Sequence, residues 1–251
     1  MWCNGSTRPL GGWGAVRVGH IRPLFFIKER KIMINTTRLR ATIGWLGMLL
    51  PWIVLVLSAI WGYDDPYIIP DSISSTYYIN SCITPFMIIL GSAGLLLFSY
   101  KGYGKVDDII CTIAGIFALG VCIFPCSLED LSKIWIELSG VAYVGTFQLP
   151  YGISGLIHNI SAAGFFALLA YNSLFLFTKT SGEMTKNKKI RNIIYKVCGI
   201  GMIVSFVAII PISIFEWWGG MWIVEAIALA FFGISWLTKA DIYPWLFADK
   251  K

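Results

Sequence analysis

The side chains best able to do chemistry in this chain are one histidine, one glutamate and a few polar neighbours. His158 opens the apolar stretch at residues 155–166, and Glu225 lies about one turn inside another apolar stretch. A histidine titrates near neutral pH, and a carboxylate beside it favours the charged imidazolium, so we expect His158 and Glu225 to be partners. The other candidates for the same ligand-binding vestibule are Asp71, Ser72, Ser74 and Asn159.

Each of these candidates also has a purely structural interpretation. A histidine at a membrane interface is often a polar cap on a helix end, and a carboxylate one turn deeper is often held by structural hydrogen bonds. Asp71 and the two serines follow Pro70 and are typical of turn chemistry. The structural interpretation carries most of the weight for each residue alone. A functional interpretation gains some support because all six lie at the same end of the predicted helices, and ionisable groups at membrane depth usually face a cavity or a partner.

Three functions remain open for such a site. A vestibule that binds or senses a lipid or small ligand needs no metal and no cofactor. A lipid hydrolase resembling the ceramidase-like superfamily needs a zinc ion held by several histidines, whereas His158 is the only histidine within the apolar stretches. A metal-free acid–base pair of His158 and Glu225 lacks a nucleophile motif such as G-x-S-x-G. A small transporter lacks support from an internal repeat or an interrupted helix. Since the chain also lacks the histidines of a zinc site and a nucleophile motif, we expect a binding protein rather than an enzyme.

The elements that position these residues are membrane-spanning helices. Of the 251 residues, 57% are hydrophobic and 14% are charged, whereas a soluble domain carries about 25% charged residues. At about 20 residues per span, the apolar stretches predict an all-α bundle of six transmembrane helices near residues 41–61, 83–100, 108–124, 156–177, 192–215 and 221–237.

The distribution of basic residues predicts how the chain is oriented. Nearly all Lys and Arg lie before span one, between spans two and three, between spans four and five, or in the tail, and the other connections hold only Lys133. The positive-inside rule then places both termini in the cytoplasm and the vestibule on the outer side of a cell (inner) membrane. The net charge of +6 fits this topology better than a nucleic-acid partner. We expect membrane lipids as partners and leave a homo-oligomer open.

The chain divides into three predicted regions. Residues 1–40 form a basic N-terminal segment, of which 1–32 are either a disordered arm or an upstream extension before a native start at Met33. Residues 41–240 form the membrane domain, and 241–251 a cytoplasmic tail. Within the loop after span three, Ser127-Leu128-Glu129-Asp130 is typical of a capping box. Apolar residues follow at helical spacing, which predicts a short surface helix near residues 127–139.

Several segments, taken in order, resemble the DRAM/Frag/Sfk-like family of six-span membrane proteins and its prokaryotic relatives of unknown function. The resemblance covers about residues 41–240, although the long 126–155 loop departs from the family pattern. It implies the six-span fold and a lipid-facing role, and it carries the family's Ser/Asp segment, span-four histidine and span-six glutamate onto Asp71, Ser72, Ser74, His158 and Glu225. The matching segments are Pro70-Asp71-Ser72-Ile73-Ser74, Phe98-Ser99-Tyr100-Lys101-Gly102-Tyr103, Ala118-Leu119-Gly120-Val121-Cys122-Ile123-Phe124-Pro125, His158 with Ser161-Ala162-Ala163-Gly164-Phe165-Phe166, Arg191-Asn192-Ile193-Ile194-Tyr195, and Glu225-Ala226 with Phe232-Gly233-Ile234-Ser235-Trp236-Leu237.

Overall fold

The structure is a computed structural model that describes residues 36–61, 70–102, 104–127, 137–138, 141–180, 184–215, 217 and 219–242. Six of its helices are long and apolar enough to cross a membrane. This confirms the predicted all-α bundle of six transmembrane helices. They are α1 (Thr36–Trp61), α2 (Asn80–Ser99), α3 (Lys105–Ile123), α4 (Tyr151–Tyr171, continued by a π-helical turn at Asn172–Leu176), α5 (Lys186–Ile214) and α6 (Gly220–Lys239).

Several helices begin five or six residues, or about one and a half turns, before the apolar stretches that predicted them. α1 begins at Thr36 rather than 41, α4 at Tyr151 rather than 156, and α5 at Lys186 rather than 192. Hydropathy marks only the part of a helix that lies in hydrocarbon. Backbone hydrogen bonding continues through the polar residues at its start, because the carbonyl of each added residue accepts from the N–H four residues later.

The six helices form a closed ring in which each packs on its neighbours in sequence and α6 packs back on α1. α1 turns Ile43, Leu50 and Val54 toward the interior, where all three are buried. These positions are seven and four residues apart, so they share one helix face. Trp52 and Val56 lie on the opposite face and are exposed, as expected for side chains that meet lipid.

Glycines set the closest approaches within the ring. A Cβ added to Gly115 of α3 would lie 2.5 Å from the Gly94 carbonyl oxygen and 2.6 Å from the Phe98 nitrogen of α2. Two helix backbones can therefore touch here only because neither carries a side chain at the crossing. This is the usual reason for small residues at helix contacts in membranes.

The loop between α3 and α4 corrects one sequence prediction. Glu137 and Leu138, expected at the end of a surface helix near 127–139, instead form strand β1, which pairs antiparallel with β2 (Val141–Val144). β2 also pairs with β3 (Leu149–Pro150). Val and Tyr in β2 favour strand structure. The sequence prediction missed this because it followed the helical spacing of the apolar residues before β2. The rest of that predicted helix, the proposed start at Met33 and the tail from residue 243 lie outside the described residues.

The π-helical turn at the end of α4 was not predicted. It carries Asn172 and Ser173, both fully buried. The Asn172 amide contacts the Cys111 sulfur of α3 at 3.6 Å, and Ser173 Oγ lies 2.5 Å from Ser235 Oγ of α6. Because one extra residue fits into a π-helical turn, two adjacent polar side chains can reach different neighbouring helices.

Candidate functional site

Residues 70–79, here called the cover segment, lie across one end of the ring. The segment contains a 3₁₀ helix at Ser74–Tyr78. Ser72 begins this turn, because its Oγ accepts from the Ser75 N–H at 2.8 Å while the Ser75 Oγ accepts from the Ser72 N–H at 3.0 Å. This reciprocal pair has the form of a capping box. The structural interpretation of Ser72 is therefore the one that its contacts support.

Two hydrogen bonds attach the cover segment to the first turns of α6. The Trp222 N–H donates to the Asp71 carbonyl oxygen at 3.2 Å, and the Ile73 N–H donates to Glu225 Oε2 at 2.5 Å. The first N–H groups of any helix lack partners within that helix, so the Asp71 carbonyl serves as an external cap for α6. The Asp71 side chain itself is exposed.

His158 joins α4 to the end of α3. Its Nδ1 is 2.7 Å from the Phe124 carbonyl oxygen, and the residue is only 3% exposed. A carbonyl can only accept, so Nδ1 carries a proton and donates. Ser154 Oγ donates to the Pro125 carbonyl at 2.9 Å, and Tyr78 Oη to the Cys126 carbonyl at 2.7 Å. Three side chains thus satisfy three consecutive carbonyls beyond the end of α3.

The predicted contact between His158 and Glu225 is not formed. Each side chain has its own backbone partner, on Phe124 and Ile73 respectively, and no hydrogen bond or ion pair joins the two among the described residues. The expectation that the two side chains are partners used only their depth along two helices. That prediction left out the main-chain carbonyl and amide groups at helix ends, which also form hydrogen bonds with polar side chains.

Of the other predicted site residues, only Ser74 joins Glu225. Both line a central cavity of about 50 Å³. Asn159 is exposed on the outer surface of α4, next to His158 but facing away from the interior. Five helices but not α5 contribute to the cavity, together with the cover segment above it. The lining residues are Leu50, Ile73, Ser74, Phe86, Leu90, Val121, Ala162, Phe165, Phe166, Glu225 and Leu229.

The cavity is therefore apolar with one carboxylate at its end below the cover segment. The Ile73 amide donates to that carboxylate, and the Ser74 amide lies beside it. A carboxylate has about four lone-pair sites, so these amides use only part of its capacity. Such an arrangement can accept a hydrogen bond from a hydroxyl or ammonium group while hydrocarbon fills the space below.

Tyr78 in the cover segment and Cys126 beside it lie outside the spanning helices and have raised pKa values. Burial raises the pKa of Tyr78, with smaller contributions from Cys126, Tyr77 and Tyr151. Burial also raises the pKa of the Cys126 thiol to about 12, and the nearby negative charge of Glu225 acts in the same direction. Both groups are neutral at physiological pH, so Tyr78 keeps the proton that it donates to the Cys126 carbonyl.

The hydrolase alternative needs a zinc site. Within the described ranges, no three His, Cys, Asp or Glu side chains meet in a way that could hold a metal ion. Cys82, Cys111, Cys122, Cys126 and Cys198 are buried free thiols, in keeping with their interpretation as small apolar core residues.

Sequence reasoning missed a second group of charges at the opposite end of the ring. Arg40, Lys188 and Lys239 come from three different helices and lie against aromatic rings there. In the sequence these residues served to orient the chain, with contact to anionic lipid as a second role for the lysines between spans four and five. The signal that could have found them is the position of each cation within about a turn of a helix end, with Phe177 and Tyr195 at the same level.

Comparison of the chain with protein-family models, with characterised proteins and with solved structures finds no match. The site must therefore be interpreted from its own contacts.

Proposed function

We propose that this protein binds a lipid or another small amphiphile in its central cavity, with Glu225 receiving the polar group. The observation that carries the proposal is the position of this carboxylate at the end of an otherwise apolar cavity. Placing a charged side chain within a membrane costs about 2.5–3.5 kcal/mol on insertion scales. A chain that keeps one beside open apolar space gains most if a ligand supplies a donor to it.

The size of the cavity limits which part of a ligand enters. A space of about 50 Å³ suits the end of one hydrocarbon chain, or a small head with a short apolar part, rather than a whole phospholipid. Hydroxyl and ammonium groups are the chemical classes that donate to a carboxylate. A ligand with one such group and one apolar chain matches the site.

Binding in this position couples the ligand to the cover segment. Ile73 contributes both its amide to Glu225 and its side chain to the cavity lining. A ligand that donates to Glu225 thus competes with, or adds to, the hydrogen bond that attaches the segment. This is the basis on which a sensing role is proposed.

The cellular setting is part of the same proposal. The basic residues lie at the end of the ring away from the cavity, so the positive-inside rule favours cytoplasmic termini and an outward-facing cavity in the cell membrane. We also keep the resemblance to the DRAM/Frag/Sfk-like family as a proposal, supported by the order of the matching segments.

The direct test is native mass spectrometry of the full chain purified in mild detergent. Two alanines of α4 form a matched pair, because Ala162 lines the cavity whereas Ala167 is exposed on the lipid side. We expect wild type and Ala167→Leu to retain a bound amphiphile. Ala162→Leu should retain about tenfold less, because the added side chain fills the site, a loss of roughly 1.4 kcal/mol in affinity.

Glu225→Gln separates the polar contact from the apolar one. Its amide keeps the shape of the side chain but removes the charge, so a ligand with an ammonium group should be lost more completely than one with a hydroxyl. Equal retention by wild type, Ala162→Leu and Ala167→Leu, or an empty wild-type protein, would refute the proposed function.

A further inference from the structure

Glu225 lies in the half of the ring that contains no lysine or arginine among the described residues. Arg40 of α1 and Lys239 of α6 lie toward the other end, as do the basic residues of α3 and α5. At the rise of an α-helix, Lys239 lies about 21 Å along α6 from Glu225. Arg40 lies about 15 Å along α1 from Leu50, which lines the cavity. The described lysines and arginines are therefore too far away to pair with this carboxylate.

Only neutral groups reach Glu225 in the part of the chain that the structure describes. The Ile73 N–H donates to its Oε2 at 2.5 Å, and the Ser74 amide lies beside it. His158 directs its Nδ1 to the Phe124 carbonyl at 2.7 Å and forms no hydrogen bond or ion pair with Glu225 among the described residues. The two amides use part of the hydrogen-bonding capacity of the carboxylate, but they do not neutralise its charge. A charge in apolar surroundings is costly unless it is paired.

Three other carboxylates at or near the helix ends show a different arrangement. Asp107, Asp108 and Asp241 each have a lysine or arginine nitrogen at 3.9 Å or less. Glu225 has two amides where these acids have a cation, and it faces a cavity instead of a neighbouring side chain. The position that a cation occupies beside the other three acids is therefore open to a cation from a ligand.

We propose that the ligand of the central cavity is a protonated primary amine on a single hydrocarbon chain, with its ammonium group paired to Glu225. This inference rests on the proposed function and narrows the class of ligand. An alkylamine is protonated at neutral pH, as a lysine side chain is. A hydroxyl group would fill a lone-pair site of the carboxylate and leave its charge unbalanced, whereas an ammonium group does both. The apolar walls of the cavity strengthen this attraction, because they keep the effective dielectric constant low.

The donors and the size of a primary ammonium group also fit the cavity. Such a group has three N–H donors. Glu225 offers the lone-pair sites that the two amides leave free, and Ser74, whose hydroxyl can also accept, lines the same space of about 50 Å³. A trimethylammonium group is larger and has no N–H to donate. The apolar part of the ligand would contact Leu50, Phe86 and Leu229.

The test compares three probes with the same chain length and different charge, which are hexylamine, hexanol and hexanoate. The rise in Tm of the full chain in neutral detergent is measured at neutral pH against probe concentration, which gives an apparent affinity by mass action. Glu225→Gln removes the charge and keeps an oxygen acceptor for the Ile73 N–H. The matched control is Asp71→Asn, which removes the same charge from an exposed side chain at the same end of the ring.

We expect wild type and Asp71→Asn to bind hexylamine about tenfold more tightly than hexanol, and hexanoate most weakly. Glu225→Gln should bind hexylamine about tenfold more weakly than wild type does, with little change for hexanol. If Glu225→Gln does not fold, the order of the three probes in wild type and their loss in Ala162→Leu test the same inference.

Three results would overturn the inference, and they separate it from the proposed function. Equal affinities for hexanol and hexylamine in wild type, both lost in Ala162→Leu, would remove the ammonium pairing and leave the cavity as a binding site. A preference for hexylamine that persists in Glu225→Gln, or that falls equally in Asp71→Asn, would show that the charge of Glu225 does not select the ligand. No rise in Tm with any probe would count against the cavity as a ligand site, and so against both proposals.

Discussion

The main-chain N–H of Ile73 donates to Glu225 Oε2 at 2.5 Å, across 152 positions of the chain. This bond joins the cover segment to α6 at the edge of the central cavity. The polar group with the strongest claim to function is thus also the group that holds the segment above it. Ligand binding and attachment of the segment are therefore expected to affect one another.

Removing the Glu225 carboxylate should loosen the cover segment. Glu225→Ala leaves the Ile73 N–H without its acceptor, and hydrogen bonds to charged groups contribute about 1.5–3 kcal/mol. We expect amide exchange at Ile73 to be about tenfold faster or more, measured by hydrogen–deuterium exchange of a peptide covering residues 70–79. Glu225→Gln keeps an oxygen acceptor and should exchange more slowly than the alanine variant. Identical exchange in all three proteins would contradict the attachment.

His158→Ala should destabilise the fold even though no reaction is assigned to the imidazole. The change leaves the buried Phe124 carbonyl without its donor and opens a void, at a cost of about 2 kcal/mol or more. Thermal unfolding in detergent should show a fall in Tm of roughly 5 °C. Asn159→Ala, at the exposed neighbouring position, is the control and should stay close to wild type. If His158→Ala and Asn159→Ala have the same Tm, the hydrogen bond from His158 to the Phe124 carbonyl does not stabilise the fold.

Gly115→Ala tests the close contact of α2 and α3. The new methyl group would lie 2.5 Å from the Gly94 carbonyl oxygen, so the two helices must separate, and overpacking of this kind costs about 1–3 kcal/mol. Gly152→Ala is the matched control, because a Cβ there meets nothing within 4 Å. Alanine is also the better helix former by about 1 kcal/mol. We expect a lower Tm for the first variant and an unchanged or higher Tm for the second.

Alkaline pH should destabilise the protein partly through Cys126. Burial raises its pKa from 9.0 to about 12, so the unfolded chain loses this proton at a lower pH than the folded chain does. Below pH 9 the ionisation of this thiol does not change stability, and between pH 9 and about 12 the folded state loses about 1.4 kcal/mol per pH unit. The gap in Tm between Cys126→Ala and wild type should therefore shift in favour of the variant from pH 8 to pH 10. A Tm difference that stays the same at pH 8 and pH 10 would show that folding does not change the pKa of this thiol.

The number and placement of the helices could be predicted from the sequence because a membrane imposes a strong length requirement. A run such as residues 41–61 contains no charge, and only a helix satisfies its backbone within lipid. The helix ends could not be predicted equally well, since residues such as Thr36 and Lys186 lie in the interface, where hydropathy does not distinguish a helix from a loop.

The candidate site was less predictable than the fold. The depth of His158 and Glu225 could be derived from their positions in two apolar stretches, but their partners could not. Both partners are main-chain groups, on Phe124 and Ile73, and every residue carries the same main-chain groups. The sequence therefore contains no signal that distinguishes these two from others at the same level.

The closure of the ring by α1 and α6 has a consequence for how the protein is made. About 160 residues separate the end of α1 from the start of α6, which takes roughly 10–30 seconds at a synthesis rate of about 5–20 residues per second. During that time the first five helices form an open crescent, and the face of α1 that carries Ile43 and Leu50 lacks its final neighbour. Glu225 arrives only with the last helix. Attachment of the cover segment to α6 can therefore occur only in a chain whose translation has passed α6, whereas its bond from Tyr78 to the Cys126 carbonyl needs only the chain up to the loop after α3.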